Sequence, residues 1–503
     1  MEKFKLYDWQ KDAFNVIKDK DAVLSAPTGS GKTTVALLWA GIYDLNLKYK
    51  NPENYKVFFT APIKALSNQR YKNLTKAGLN VGIETGDIKE NTNAPIMCVT
   101  QEIFTAKYSD IPNAKIIKDE FHYSYNNQER ARAYIDAIVN TNKDSNILLI
   151  SATFGNPDKL IKYLKDISQR DFVLYQTDYR PTKLIFMEQH SNVKEISKNN
   201  NIIFDFSMKG CDMIANDLFY TKKDQSKSII KAITNIVNKY NIKNEYIIEY
   251  AKKGIGFYNG QMIPKEKLAT EELYLKGLIN NLVATDALAL GVNLPAEYVI
   301  FSTLQKYSGL ISKNDFMQMA GRAGRKGFFD NGYVGFVNQR EKTDFNYIIN
   351  KKNEPINIIM NPDYKKILRN ETDIKTEAEF LAKHSIPKID YNQIFKKLNS
   401  EINYINKIAK DYSILNTLKD IYFNEFDPAT NINAALLIKR NSDLNYKNFV
   451  NLVNSKSILY KLLQTRKFLN TIPHEYQQAI DFSNIDKHIN QIDETILKVS
   501  KSS

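Results

Sequence analysis

At 503 residues the chain is too long for one ordinary domain, and 43% hydrophobic with 25% charged residues fits folded globular protein rather than disorder. No apolar run approaches the ~20 residues of a bilayer span, the charged N-terminus lacks the apolar core of a secretory leader, and Cys98 and Cys211 lie in apolar segments that predict buried thiols. The net charge of +14, from 70 Lys and Arg against 56 Asp and Glu, favours polyanionic partners through counterion release, although a Lys-, Asn- and Ile-rich composition produces the same excess. A cytoplasmic protein with no membrane contact is the expectation.

From residue 21 to about 340, short apolar runs alternate with longer amphipathic stretches. DAVLS, KVFFTA, PIMCVT, AKIIK and NILLIS read as strands, each followed by a helical pattern, which predicts a parallel sheet covered by helices. A proline and a change of pattern in DYRPTKLIF mark a boundary near residue 180. NIIFDF, GIGFYN, NLVATD, EYVIFST and GYVGFVN then form a second α/β series. Beyond about 345 the strand signals fade and apolar residues recur at helical spacing. The expected organisation is α/β over 1–180, α/β over 181–345, and a mostly helical region over 346–503, beginning with a small winged helix and continuing as a short bundle.

After the first strand comes APTGSGKTT, residues 26–34, leading into a helical run. A strand, a glycine-containing loop and a helix form an anion site, because backbone N–H groups and the helix N-terminus surround phosphate oxygens. Thr28, Gly29, Ser30, Gly31 and Thr34 would line it, Lys32 would reach the β- and γ-phosphates of ATP, and Thr33 would place its hydroxyl on Mg²⁺. The usual first glycine of such loops is Ala26 here. AKIIKDEFHY ends another strand with adjacent carboxylates and a histidine. By itself it reads as a solvated strand end, a metal site, or the metal-and-base corner of an ATPase. Beside a phosphate loop the last reading gives Asp119 to the metal and Glu120 to the attacking water.

The chain resembles the Ski-like branch of superfamily-two DExH-box helicases, in which an alanine at the loop start is usual. LYDWQKDAF, APTGSGKT, APIKALSNQRY, ETGD, VTQEIF, DEFH, SATFGNPDKL, YRPTKL, FDFSMKGCDMIA, VATDALALGVNLPA and QMAGRAGRKG follow the family's motif order over residues 4–340. The resemblance implies two RecA-like domains with ATP and Mg²⁺ between them. It also implies that Gln10 reads adenine and Gly291 contacts nucleotide. Gln318 would sense nucleotide and touch His122, making that histidine a link between the ATP site and the domain interface. Arg322 and Arg325 would stabilise the transferring phosphoryl group, and their spacing of three predicts one shared helix face. Pro62, Lys64, Thr85, Gly86, Thr100 and Gln101 would grip a strand from the first domain, and Thr285 from the second.

A hairpin is expected within 299–313, with Lys306, Tyr307 and Leu310 near its tip, where processive relatives carry a strand-separating wedge. Lys118 stands where such helicases have an apolar residue, which predicts a more exposed strand end. Asp286 stands where many relatives have Glu. The resulting expectation is a 3′→5′ helicase or translocase on single-stranded or tailed RNA or DNA. The alternative is a nucleic-acid-stimulated ATPase switch or clamp within a repair, RNA-processing or defence assembly.

Overall fold

The computed structural model describes residues 5–421 apart from 87, 126–127, 153, 189–199, 290–293 and 308, together with positions 428, 431–432, 435–436 and 439. Gly291 and much of the expected helical bundle lie outside the described residues.

One unit, residues 1–123 and 136–356, contains two sheets. The first comprises β1 (Ala22–Ser25), β2 (Lys56–Ala61), β3 (Val81–Glu84), β4 (Lys89–Glu90), β5 (Ile96–Thr100), β6 (Ala114–Lys118), β7 (Asn146–Ser151) and β8 (Val173–Gln176). Their order is β4-β3-β5-β2-β6-β7-β1-β8, parallel except for the β3–β4 pair. Strands such as AVLS, VGIE and IMCVT are buried at every residue, as parallel strands covered on both faces must be. Helices α1 (Asp8–Ile17), α2 (Lys32–Trp39), α3 (Lys64–Lys76), α4 (Gln101–Lys107), α5 (Gln128–Asn140) and α6 (Pro157–Ser168) connect or flank these strands.

The second sheet is built from β9 (Lys183–Phe186), β10 (Asn201–Phe204), β11 (Ile255–Tyr258), β12 (Asn281–Ala284), β13 (Tyr298–Phe301) and β16 (Asn331–Phe336). It runs β11-β12-β10-β13-β16-β9, all parallel. Between β13 and β16, β14 (Gln305–Lys306) and β15 (Gly309–Leu310) pair antiparallel in a hairpin where the sequence pattern predicts one. The helices of this half are α7 (Met208–Thr221), α8 (Lys227–Lys239), α9 (Glu245–Lys252), α10 (Pro264–Leu275), α11 (Lys313–Ala320) and α12 (Lys342–Asn350).

Among the links between the halves of this unit are those made by Arg180 and Glu354. The Arg180 guanidinium, from the Arg-Pro segment after β8, donates to the carbonyls of Gly321 (3.0 Å) and Ala323 beyond α11. Glu354 reaches both sides: its carbonyl accepts from Gly155 N–H (3.2 Å) after β7, and its carboxylate accepts from Lys313 N–H (3.2 Å) at the start of α11. A Cβ at Gly155 would meet the Asn353 carbonyl oxygen at 2.8 Å, so glycine permits that approach.

The other unit gathers residues 124–135 with 357–503. Its helices are α13 (Tyr364–Leu368), α14 (Ile374–His384), α15 (Tyr391–Asp411) and α16 (Leu415–Ile421). The Arg132 guanidinium lies over Phe380 (4.2 Å) and donates to both carboxylate oxygens of the buried Glu377. This recruitment of residues 124–135 was not legible in the sequence, because Arg132 and Glu377 lie 245 positions apart with the whole second α/β series between them.

Lys118 departs from expectation. Rather than lying at an exposed strand end, it is fully buried, on the same face of β6 as Ala114 and Ile116. Its Nζ sits 4.3 Å from the Phe104 ring and has no hydrogen-bond partner among the described residues. Burial pushes its pKa well below the ordinary 10.5, because the charged amine is disfavoured away from water. Lys118→Met should therefore raise stability by about 1–3 kcal/mol by removing the desolvation cost of an unsatisfied amine; a lowered denaturation midpoint would refute this.

Candidate functional site

The phosphate loop leaves the C-terminal end of β1, and Asp119 and Glu120 leave that of β6, with β7 between them in the sheet. Ligands of open parallel sheets collect outside this edge. Gly29 (φ 83°) and Gly31 (φ 97°) take left-handed conformations that turn the chain into α2. Beneath the loop, the buried Gln10 carboxamide accepts from Tyr7 N–H (3.0 Å) and donates to Gly31 C=O (3.1 Å). A Cβ on Gly31 would come within 2.6 Å of that carboxamide. Lys32 Nζ donates to Ala26 C=O (2.5 Å), and burial lowers its pKa against the opposing pull of Glu120 and Asp119.

These groups open on a cleft of about 450 Å³. The first half contributes Thr28, Gly29, Gly31, Lys32, Thr33, Asp119, Glu120 and Tyr123; the second contributes Gln318, Arg322, Arg325 and Lys326. Ser30 is buried and its N–H bonds Pro27 C=O (3.2 Å), while Thr34 N–H bonds Gly31 C=O (3.0 Å), so both shape the loop. Glu120 has φ 53°, an uncommon value for a non-glycine residue and one that clusters at functional sites.

Arg322 and Arg325 are brought together, but not on one helix face. α11 ends at Ala320, and both arginines reach the cleft from the following turn. The turn is held by a parallel bridge between Ala296 and Ala323 and by Gly324 (φ 61°), where a Cβ would meet Gly332 N at 2.3 Å. Burial lowers both guanidinium pKa values, that of Arg322 to about 10.

His122 also differs from expectation. Gln318 Nε2 donates to the hydroxyl of the next residue, Tyr123 (3.1 Å), while His122 Nδ1 accepts from Ala152 N–H (3.4 Å) after β7. Burial pushes the imidazole down to about 4, so its 3.4 Å approach to Glu120 Oε2 at neutral pH is not an ion pair. Tyr123 was not legible as the Gln318 partner, because two adjacent aromatic side chains differ only in which way the short 3₁₀ turn at Phe121–Ser124 points them.

The residues expected to grip a strand collect at the C-terminal ends of the neighbouring strands β2, β3 and β5. Pro62 and Lys64 follow β2, Thr85 and Gly86 follow β3, and Thr100 and Gln101 end β5 and begin α4. Gly86 is exposed, and a Cβ there would meet Lys64 Nζ at 3.0 Å. Pro62, Thr85, Thr100 and Gln101 are buried. Gln101 is turned inward, accepting from the Thr60 hydroxyl (2.7 Å) and donating to Thr105 (3.2 Å), so its carboxamide braces the strand ends. Thr285 follows β12, nearly buried, its hydroxyl accepting from Ala287 N–H (3.3 Å).

At the hairpin, Lys306 does not stand out at the tip. Its Nζ lies 2.9 Å from Asp286 Oδ2 and 3.8 Å from Asp315 Oδ2, while Leu310 packs against the core. Tyr307 alone of the three projects fully into solvent.

Residues 7–160 match the model of the DEAD/DEAH box helicase family, and residues 211–327 that of the helicase conserved C-terminal domain. The exosome RNA helicase MTR4 of Mus musculus is 27% identical over 488 residues, covering 81% of this chain and 46% of the relative. The DExH-box ATP-dependent RNA helicase DExH9 of Arabidopsis thaliana is 28% identical, covering 65% and 41%. The chain belongs to the superfamily-two DExH-box helicases of Ski-like type. It spans less than half the length of these curated relatives. The solved Lhr helicase of Mycobacterium smegmatis, bound to single-stranded DNA and AMP-PNP, superposes with a TM-score of 0.51 at 17% identity over 78% of this chain and 52% of its own. That likeness supports the fold: two RecA-like parallel-sheet domains followed by a helical region.

The donor set suits the magnesium nucleotide of this family. Thr33 Oγ1 and Asp119 Oδ2 are hard oxygen donors on one side of the cleft, both within reach of a single nitrogen of Arg70, at 3.4 Å and 3.3 Å. Arg70 itself was missed in the sequence. The available signal was helical spacing: Leu66, Gln69, Arg70 and Asn73 of α3 all line the cleft.

The buried histidine generates a pH prediction. Its folded pKa lies below its unfolded value near 6.5, so the unfolded chain binds a proton first as pH falls. This contribution is flat above about 6.5 and costs up to about 1.4 kcal/mol per pH unit between there and 4. Thermal denaturation across pH 4–7 should therefore show a steeper acid-side loss for wild type than for His122→Asn; equal slopes would refute it.

Proposed function

We propose that the chain is an ATP-driven motor on single-stranded nucleic acid, with RNA as its first substrate, moving 3′→5′. Residues 1–180 and 181–345 would act as its two motor domains. The observation that carries this reading is one cleft lined by the phosphate loop and Asp119–Glu120 from the first half and by Arg322 and Arg325 from the second. RNA is preferred because the curated relatives quoted above are named RNA helicases.

In this reading the backbone N–H groups of Gly29, Gly31, Lys32 and Thr33 bind the β-phosphate region and Lys32 leaves Ala26 C=O for the phosphates. Gln10 holds the loop from below through its bonds to Tyr7 and Gly31. Thr33 and Asp119 hold Mg²⁺, which when bound would neutralise phosphate charge. Glu120 orients the attacking water and accepts its proton, and the guanidiniums of Arg322 and Arg325 stabilise the charge on the transferring phosphoryl group. Gln318, through Tyr123, and His122, through Ala152, report cleft closure to the strand-binding edge. There Lys64, the exposed Gly86, the backbone at Pro62, Thr85, Thr100 and Gln101, and Thr285 on the second half grip the sugar–phosphate chain. Such contacts carry little sequence information.

Two measurements test the reading. ATPase should be stimulated by single-stranded RNA and should fall by about 10²–10⁴-fold in Glu120→Gln; absence of stimulation by either RNA or DNA would overturn it. Tyr307→Ala should lose most separation of 3′-tailed duplexes while keeping stimulated ATPase. Stimulated ATPase without any unwinding by the wild type would instead establish the switch or clamp.

A further inference from the structure

Arg70 lines the cleft from α3 and has no role in the scheme above. Its guanidinium lies over the Phe59 ring (5.3 Å) and is about one-fifth exposed. Nη2 is within 3.4 Å of Thr33 Oγ1 and 3.3 Å of Asp119 Oδ2. These are the two oxygens assigned to the metal. A cation held between them and a divalent metal held by the same pair exclude one another, through both space and charge repulsion. Asp119 also adjoins Glu120 on the cleft wall, so two carboxylates stand together at this end of the cleft.

We propose that Arg70 is a built-in counter-ion of the metal site, holding the Thr33–Asp119 pair whenever Mg²⁺ does not and yielding it when a magnesium-bound nucleotide enters. The proposal rests on the reading of Thr33 and Asp119 as metal donors. It gives Arg70 a defined energetic signature. Without metal, the incoming phosphates face Asp119 and Glu120 directly, and Arg70 relieves that repulsion. With metal, the relief is already supplied, and the cost of displacing Arg70 offsets part of the gain. Arg70 thus reduces the dependence of nucleotide binding on Mg²⁺, and its removal should increase that dependence.

The test is titration of a fluorescent ADP analogue into wild type, Arg70→Gln, Arg70→Lys and Asp119→Asn, in excess EDTA and in excess Mg²⁺. The quantity read is Kd in EDTA divided by Kd in Mg²⁺. In R70Q it should rise roughly tenfold, the scale of one charge-assisted hydrogen bond, mainly through weaker binding in EDTA. R70K, which keeps the charge, should stay near wild type and guards against misfolding of the Gln variant. A ratio in R70Q within twofold of wild type, or equal weakening in both arms, would overturn the proposal; the latter would mark an ordinary phosphate contact. If wild type is Mg²⁺-coupled and D119N is not, the metal-site reading stands even where R70Q refutes the proposal. If wild type shows no coupling, that reading fails and the proposal with it.

Discussion

The cleft concentrates positive charge that the protein does not neutralise by itself. Lys32, Arg70, Arg322, Arg325 and Lys326 face only Asp119 and Glu120 as opposing charges among its lining residues. Burial depresses the pKa of Lys32, Arg322 and Arg325, which measures the cost of holding these cations out of water. That balance of charge suits a polyanionic ligand such as a polyphosphate.

The two sheets serve this constraint by their strand order. Placing β7 between β1 and β6 sets the phosphate loop and the adjacent carboxylates one strand apart. The same β7 ends at Ser151, next to the Ala152 N–H that His122 accepts. The other half brings its arginines in on a turn whose geometry is held by Gly324 against Gly332 and by the Arg180 cap. Arg180 also passes 3.6 Å from where a Cβ of Gly29 would lie, so the linker touches both the loop and the arginine turn.

Several polar residues that read as strand contacts are bound to the protein's own side chains instead. Gln101 links Thr60 and Thr105 beneath the edge where a strand would bind, and Lys306 ties the hairpin to Asp286 and Asp315. Asp286 thus acquires a partner that its motif position alone did not suggest. The buried Lys118, over Phe104 of α4, packs the last residue before Asp119 against the helix that begins at Gln101.

What the sequence by itself determined was local and periodic. The strand–loop–helix of the phosphate site, the alternation that makes parallel sheets, the hairpin near Tyr307 and the helical tail as far as Ile421 all follow from spacing within a few residues, where covalent geometry limits the options. The ordered motif series then named the family. Only the tertiary structure decided which neighbours meet. Arg322 and Arg325 converge from a turn because Gly324 needs a left-handed backbone against Gly332, a contact invisible to helical periodicity. Gln318 selects Tyr123 over His122 by the pitch of one short turn, and Lys118 is buried because the facing helix offers an aromatic surface. Arg70 reaches Thr33 and Asp119 across 37 and 49 positions of sequence; its helical spacing groups it with its α3 neighbours, but only the packed fold sets it against these two partners.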